Sequence, residues 1–230
     1  MNLLAIDTVT EMASIALLFD DDLLIDEAFV PQQHTKVILP MIKKQMAAAC
    51  LSFNQLDAIA FSRGPGSFTG LRICASITQG LAIAHNLPVI PVSSLAILAQ
   101  GAYREDNNKS NVVACLDARR EEVYWGCYRE QAGLMTLVGE EMVIAPGSVT
   151  VVGEGGAWHG VGSGFKSYET ELANNPQVNL TSIEAQRFPL AQDAMEFAKN
   201  SWLNKETVDA SLAIPTYLRD NIATPPKNKM

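Results

Sequence analysis

The sequence predicts an α/β protein of two related mixed-sheet subdomains, the second degenerate, and three observations point to it. Strand-like and helix-like stretches alternate as β-β-β-α-β-α-β-α as far as Tyr103. A polar stretch over residues 103–111 (YREDNNKSN) then precedes a second run of strands. The order strand, aspartate, hairpin occurs at Asp7 and again at Asp117, so one half echoes the other. The expected units are residues 1–105, residues 106–220 and a tail, 221–230. With 230 residues, 48% hydrophobic and 18% charged, the chain can bury a sizeable core, which excludes disorder.

The elements run in order. Residues 3–8 are an apolar run ending in Asp7-Thr8, and residues 13–19 are a second run rich in Ile, Leu and Ala. Asp20-Asp21-Asp22 makes an acidic turn into a third strand, 23–30. Such hairpins open a sheet antiparallel. Residues 32–50 shift to helical period, with Val37, Ile38, Met41, Ile42 and Gln45 on one side and Lys43, Lys44 and Ala47 turned away. Pro40 removes a backbone donor there, which predicts a kink or a late helix start. A strand at 57–62, a long helix to about Ala84, a short strand at 88–92 and a helix at 94–103 complete the first half. In the second, strands are expected at 112–117, 122–128 and 134–144. Residues 149–152 lead into a glycine-rich stretch, 153–164, followed by a helix at 188–201 and a frayed end at 225–230.

Composition removes several functional classes. No apolar run approaches the ~20 residues of a membrane span. The first residues lack a basic segment and meet a carboxylate at Asp7, which reads as a first strand rather than a signal peptide. The four cysteines form no CxxC pair and lie in apolar stretches, as buried free thiols would. His34, His85 and His159 form neither HExxH nor HxxxH, so no metal site of that type is expected. Affinity for nucleic acid rests on neutralising phosphates with Lys and Arg. Here acids outnumber bases 25 to 17, with no basic run beyond Lys43-Lys44 and Arg119-Arg120. RNA work therefore needs a more basic partner.

The loop from Arg63 to Gly70 (RGPGSFTG) joins a strand to a helix, the layout of an anion site at a helix N-terminus. It is neither a Walker A loop nor a dinucleotide fingerprint. Its alternative is a tight turn with Gly64 and Gly66 at positive φ, Pro65 fixed between them and Ser67 capping the helix. From Phe68 to Ala84 the only charge is Arg72, and a helix apolar nearly all round must be covered on more than one side. Gly70, Ala75, Ser76 and Gly80 permit close helix approach. The second cover is either the chain's own helix over 37–49 or a partner subunit. Asp7-Thr8 reads as a turn, or as a group near phosphates; Asp117 beside Arg119 and Arg120 reads as a solvated ion pair. No nucleophile, base and orienting group come together, which favours a binding role.

Seven strings resemble the TsaB (YeaZ) family: LAIDT from Leu4, HTKVILPMI from His34, DAIAFSRGPGSFTGLR from Asp57, QGLA from Gln79, PVSSL from Pro91, LDAR from Leu116 and PTYLR from Pro215. They span nearly the whole chain, and RGPGSFTGLR is the most specific. The resemblance implies the ASKHA (actin, Hsp70, sugar kinase) fold and a cytosolic, non-catalytic partner of a TsaD-like catalytic subunit. With a TsaE-like ATPase, that assembly moves a threonylcarbamoyl group from its adenylate to the adenosine beside the anticodon of tRNAs reading ANN codons. It implies pairing through two helices of the first subdomain, self-pairing as a homodimer when alone, contact with tRNA only through the complex, and no cofactor save an adenine nucleotide in the assembled complex. The interface residues expected on this basis are His34, Val37, Ile38, Met41, Ile42, Gln45, Phe68, Arg72, Ile73, Ser76 and Ile77. Asp7 and Thr8 are the nucleotide candidates.

One departure is readable. TsaD-like proteins carry two metal-binding histidines four apart, and the matching stretch here places Ser94 and Leu98 at those positions. Serine is a poor ligand for such a metal and leucine is none, so peptidase activity is not expected to transfer. The alternatives left open are an ATP-dependent enzyme or glycoprotease-type peptidase of actin-like fold, and direct tRNA binding. A charge placed at Ile73 or Ile42 is expected to leave the monomer folded and to abolish pairing, since an unpaired buried charge costs several kcal/mol.

Overall fold

Two five-stranded sheets share one topology. The computed structural model describes residues 1–152 and 156–219. The first half runs β1 (Leu3–Asp7), β2 (Met12–Phe19), β3 (Asp22–Phe29), α1 (His34–Ala48), β4 (Ala58–Gly64), α2 (Phe68–His85), β5 (Val89–Ser93) and α3 (Ser94–Glu105). The second runs β6 (Asn111–Arg119), β7 (Glu122–Gln131), β8 (Leu134–Ile144), β9 (His159–Val161), α4 (Gly164–Ser167), α5 (Glu169–Ala173), β10 (Ser182–Glu184) and α6 (Ala191–Leu203). The sheet orders are β3-β2-β1-β4-β5 and β10-β9-β6-β7-β8. Each half thus has two antiparallel hairpin connections on one side of its first strand and two parallel crossovers on the other. This is the ASKHA fold. The second half is the reduced copy: β9 and β10 have three residues each.

β1 is buried at all five positions and β2 at its six central ones, as strands covered on both faces must be. Their alternate residues point into two cores. Leu4, Ile6, Ile15, Leu17 and Phe61 pack against Ile38, Ile42 and Met46 of α1 and Cys74 of α2. Leu3, Ala5, Ala16, Leu18 and Ile90 pack against Ala191, Ala194, Met195 and Ala198 of α6, which comes from the far end of the chain. α3 follows the first sheet in sequence but lays Leu95, Leu98, Ala99 and Ala102 on Val112, Ala114, Leu116 and Tyr128 of the second. The chain beyond α6 stays on the first sheet: Val208 pairs with Val89, and the Thr216 amide donates to the Arg63 carbonyl at 2.7 Å. A cut near residue 105 therefore separates the sheets but not the helices between them.

Several local expectations are corrected. α1 begins at His34 and runs through Pro40, so the proline does not delay its start. α3 continues to Glu105, which shortens the polar link to residues 106–110. α6 begins at Ala191 rather than 188, because the chain around Pro189 is extended into Leu190 (φ −126°, ψ 142°). Cys50 is exposed, in the turn after α1 at φ 53°, whereas Cys74, Cys115 and Cys127 are buried free thiols. The expected tail at 221–230 and part of the glycine-rich stretch, 153–155, lie outside the described residues.

In the loop before α2, Gly64 takes φ +109°, as a tight turn requires, and the Gly64–Pro65 bond is cis. Gly66 does not adopt positive φ; it must be glycine because a Cβ there would lie 2.7 Å from the Val9 carbonyl oxygen. Ser67 caps α2, its hydroxyl accepting from the Gly70 amide at 3.4 Å. Gly70 is the tightest point: a Cβ would come within 2.1 Å of the Thr8 carbonyl oxygen. The second half repeats the approach, since a Cβ on Gly162 would lie 2.4 Å from the Cys115 carbonyl oxygen. Gly70→Ala is expected to cost about 1–3 kcal/mol or more, by forcing α2 away from β1. Gly80→Ala meets open space and is expected to cost nothing in the same urea titration.

Candidate partner-binding surface

α1 and α2 lie side by side on the first sheet, and the expected interface residues divide by burial. His34, Ile38, Met41, Ile42 and Gln45 are buried within the chain itself. Ile38, Met41 and Ile42 belong to the core, and the Gln45 side chain donates to the Ile25 carbonyl of edge strand β3 at 3.4 Å. Beside it, Lys44 pairs with Asp26 at 2.7 Å, pinning α1 to β3. Val37, Ile73 and Ile77 are half-buried and pack on that core. Phe68, Arg72 and Ser76 are exposed.

The helical period correctly marked an apolar side on α1, but that side faces β2 and β3. The expectation for Ile42 is therefore corrected. Its side chain is fully buried, so Ile42→Glu unfolds the monomer rather than exposing a charge to a partner.

The exposed surface is carried mainly by α2. Phe68, Arg72, Ser76, Gly80 and Ala84 recur at intervals of four and wind by about 40° per step across one broad exposed side, with Ile83 near its middle. Phe68 is 45% and Ile83 63% exposed, and across the pair Leu39 of α1 is 40% exposed. Arg72 lies over the Phe68 ring, 3.9 Å from its centroid, so the one charge of the helix is folded along an aromatic face. Space beyond Gly80 is empty to 4 Å from a built Cβ. Leu39, Gly80 and Ile83 were not among the expected interface residues; the four-residue repeat from Phe68 to Gly80 was the available signal.

Asp7 and Thr8 serve the fold. Both are fully buried. The Thr8 hydroxyl donates to the Gly70 carbonyl at 2.8 Å. The Asp7 carboxylate accepts from the Ser62 hydroxyl and, at 3.1 Å, from the Val9 amide. Both side chains are closed off from solvent by the chain's own groups, so neither stands as an exposed ligand for a nucleotide, contrary to the expectation. Asp117 pairs with Arg119 at 3.0 Å and also accepts from Ser167 and Tyr168. At the two positions compared with metal-binding histidines, Ser94 has a buried hydroxyl without a hydrogen-bond partner and Leu98 lies in the core under the second sheet. Among the described residues no three His, Cys, Asp or Glu side chains are grouped to hold a metal. No described helix is long and apolar enough to cross a membrane.

The family model for TsaD, tRNA N6-adenosine threonylcarbamoyltransferase, matches residues 28–227. The chain is 38% identical over 229 residues to the tRNA threonylcarbamoyladenosine biosynthesis protein TsaB of Escherichia coli (strain K12), covering 97% of this chain and 96% of that one. The protein of the same name from Haemophilus influenzae is 37% identical over 231 residues, with 96% and 95% covered. The structure of YeaZ from Pseudomonas aeruginosa superposes with a TM-score of 0.89 at 42% identity, over 94% of this chain and 99% of that one. The chain belongs to the TsaB family.

In this TsaB-family chain, burial raises the Asp7 carboxyl from its ordinary 3.8 to about 7; the Ser62 and Val9 hydrogen bonds oppose the shift, and the charge of Asp193 adds to it. Asp193, itself buried, is raised in the same direction, and burial keeps the neighbouring Cys74 thiol neutral. Between about pH 4 and pH 7 the folded chain holds a proton at Asp7 that the unfolded chain releases. Stability from this group therefore falls as pH rises through that window and levels off above it. Asp7→Asn keeps an oxygen for the Val9 amide, turns an amide donor toward the Ser62 hydroxyl, which can accept, and cannot ionise. Relative to wild type, this variant is expected to gain roughly 2 kcal/mol between pH 5 and pH 8, read from urea melts at each pH.

Proposed function

We propose that this chain is a non-catalytic scaffold in the formation of threonylcarbamoyladenosine in tRNA. It pairs through α1 and α2 with a TsaD-like catalytic subunit, brings in a TsaE-like ATPase, and forms a homodimer through the same surface when alone. It works in the cytoplasm and meets tRNA only through the complex. The observation that carries this reading is the stripe Phe68, Arg72, Ser76, Gly80 and Ala84, open to solvent on a helix with a single charge. A second helix laid on it would gain apolar burial worth about 25 cal/mol per Å2 and would meet no side chain at Gly80.

Two features support it. The net charge of −8 disfavours independent binding to phosphates. The relatives named TsaB are biosynthesis proteins for this modified nucleoside and align end to end with this chain.

Ser76→Glu places a charge in the middle of the stripe without touching the core. It is expected to leave the thermal melt unchanged and to weaken co-elution with the TsaD-like subunit by at least about a hundredfold in affinity, the size of a hot-spot loss. Wild-type co-elution by this variant would overturn the pairing surface. Ile73→Glu, at a half-buried position, is expected to weaken pairing and stability together.

A further inference from the structure

A second feature lies away from the α1/α2 surface, where the edge strands of the two sheets, β5 and β8, come together beside α6. A cavity of about 350 Å3 opens there, at the lower end of the range for small-molecule sites. Its walls are apolar at Ala96, Met135 and Phe197. Its inner polar groups come from distant parts of the chain: Arg63 at the end of β4, Ser93 just before α3, Tyr128 in β7 and Glu141 in β8; Thr136, Asn200, Ser201 and the exposed Glu206 complete the lining.

These groups are organised around Glu141. The Ser93 hydroxyl, which also caps α3 by accepting from the Leu95 and Ala96 amides, donates to Glu141 Oε1. The Tyr128 hydroxyl, on a side chain only 1% exposed, donates to the same oxygen. The other oxygen, Oε2, takes no hydrogen bond from the described residues. Arg63 approaches closely enough for its charge to act on the Tyr128 hydroxyl. Yet its only side-chain hydrogen bond among the described residues is a long one, 3.4 Å, to Thr216 Oγ1, and no described carboxylate lies within 4 Å of it. Arg63 and Glu141 thus line one small cavity without pairing with each other, and Glu206 adds an exposed second carboxylate at its edge. Half-buried charges left in that state are costly unless something else joins them.

We propose that this cavity binds a free α-amino acid, its carboxylate held by Arg63 and its ammonium group by Glu141 Oε2. Arg63 and the inner carboxylate of Glu141 ask for one small molecule carrying both opposite signs, and the exposed Glu206 adds further negative charge that also favours an ammonium group. The apolar walls take an uncharged side chain, and the fixed hydroxyls of Ser93 and Tyr128 hold the Glu141 carboxylate in place before the ligand arrives.

The test is calorimetric titration of the full chain with each of the twenty common amino acids at millimolar concentration. At least one with an uncharged side chain is expected to saturate. Its analogue lacking the amino group and its analogue lacking the carboxylate are each expected to bind at least about tenfold more weakly. Arg63→Gln and Glu141→Gln should each cost about tenfold or more in affinity. Thr136→Trp, an exposed change at the rim that touches neither charge, should block binding while the thermal melt stays that of wild type. If no amino acid saturates the wild-type chain, the proposal fails. It fails equally if the affinity is unchanged in Arg63→Gln, Glu141→Gln and Thr136→Trp, or if the carboxylate-only analogue binds as tightly as the amino acid.

Discussion

The close approach of α2 to the end of β1 fixes the geometry on which the rest of the first half depends. Gly70 lies against the Thr8 carbonyl where a single added carbon would collide. The Thr8 hydroxyl returns a hydrogen bond to the Gly70 carbonyl, and the Ser67 amide bonds the Val9 carbonyl at 2.8 Å. Strand end and helix start are therefore held by three contacts of short reach. With its first turn locked, α2 has no freedom to rotate. Leu71, Cys74, Thr78 and Ala82 are turned to the protein, and Phe68, Arg72, Ser76 and Gly80 are turned away from it. The exposed stripe is a consequence of that clamp. The loop looks like a phosphate cradle in sequence, but its Ser67 amide bonds the Val9 carbonyl and its Gly66 and Gly70 are spent on close approach to Val9 and Thr8.

The two halves are held together by exchange of helices. α3 leaves the first sheet to cover the second, and α6 leaves the second to cover the first. Where they cross, Arg104 of α3 bonds Asp193 in the first turn of α6 at 2.5 Å, and Arg187 bridges Glu184 and Glu105. Asp193 is almost fully buried, so losing Arg104 would strand a carboxylate between the sheets. Hydrophobic burial decides that the helices pack there; the ion pairs fix which residues meet. The opposite ends of the same two helices, Ala96 of α3 and Phe197, Asn200 and Ser201 of α6, line the cavity beside β5 and β8.

Duplication also explains why the reduced second half still folds. Its parallel strands β9 and β10 have three residues each, too short to hold a sheet alone. They are anchored by Gly162 against Cys115, by Phe165, Leu172 and Trp158 packed on Trp125 and Val113, and by α3 from the first half. The unit borrows stability from its neighbour.

The strands and helices of the first half, and β6, β7, β8 and α6 of the second, were legible in the chain, since apolar runs and the 3.6-residue period are local properties of consecutive residues; β9, α4, α5 and β10, of three to five residues each, are too short to show either pattern. So were the turn at Gly64, the cap at Ser67, and the absence of the paired histidines at Ser94 and Leu98. The face α1 presents to solvent was not legible. Period shows that Ile38, Met41 and Ile42 form an apolar side, but the same pattern suits a partner subunit and the chain's own β2 and β3 equally. Nor could local pattern reveal that residues 191–216 return to the first sheet, or that Arg63, Ser93, Tyr128 and Glu141 meet. Such contacts join residues far apart in sequence, as the 153 positions between Arg63 and Thr216 illustrate. By itself the sequence determined element types, turn chemistry and family. Only the tertiary structure decided which apolar faces are already taken and which charges are left facing one another, because both depend on what lies across space rather than along the chain.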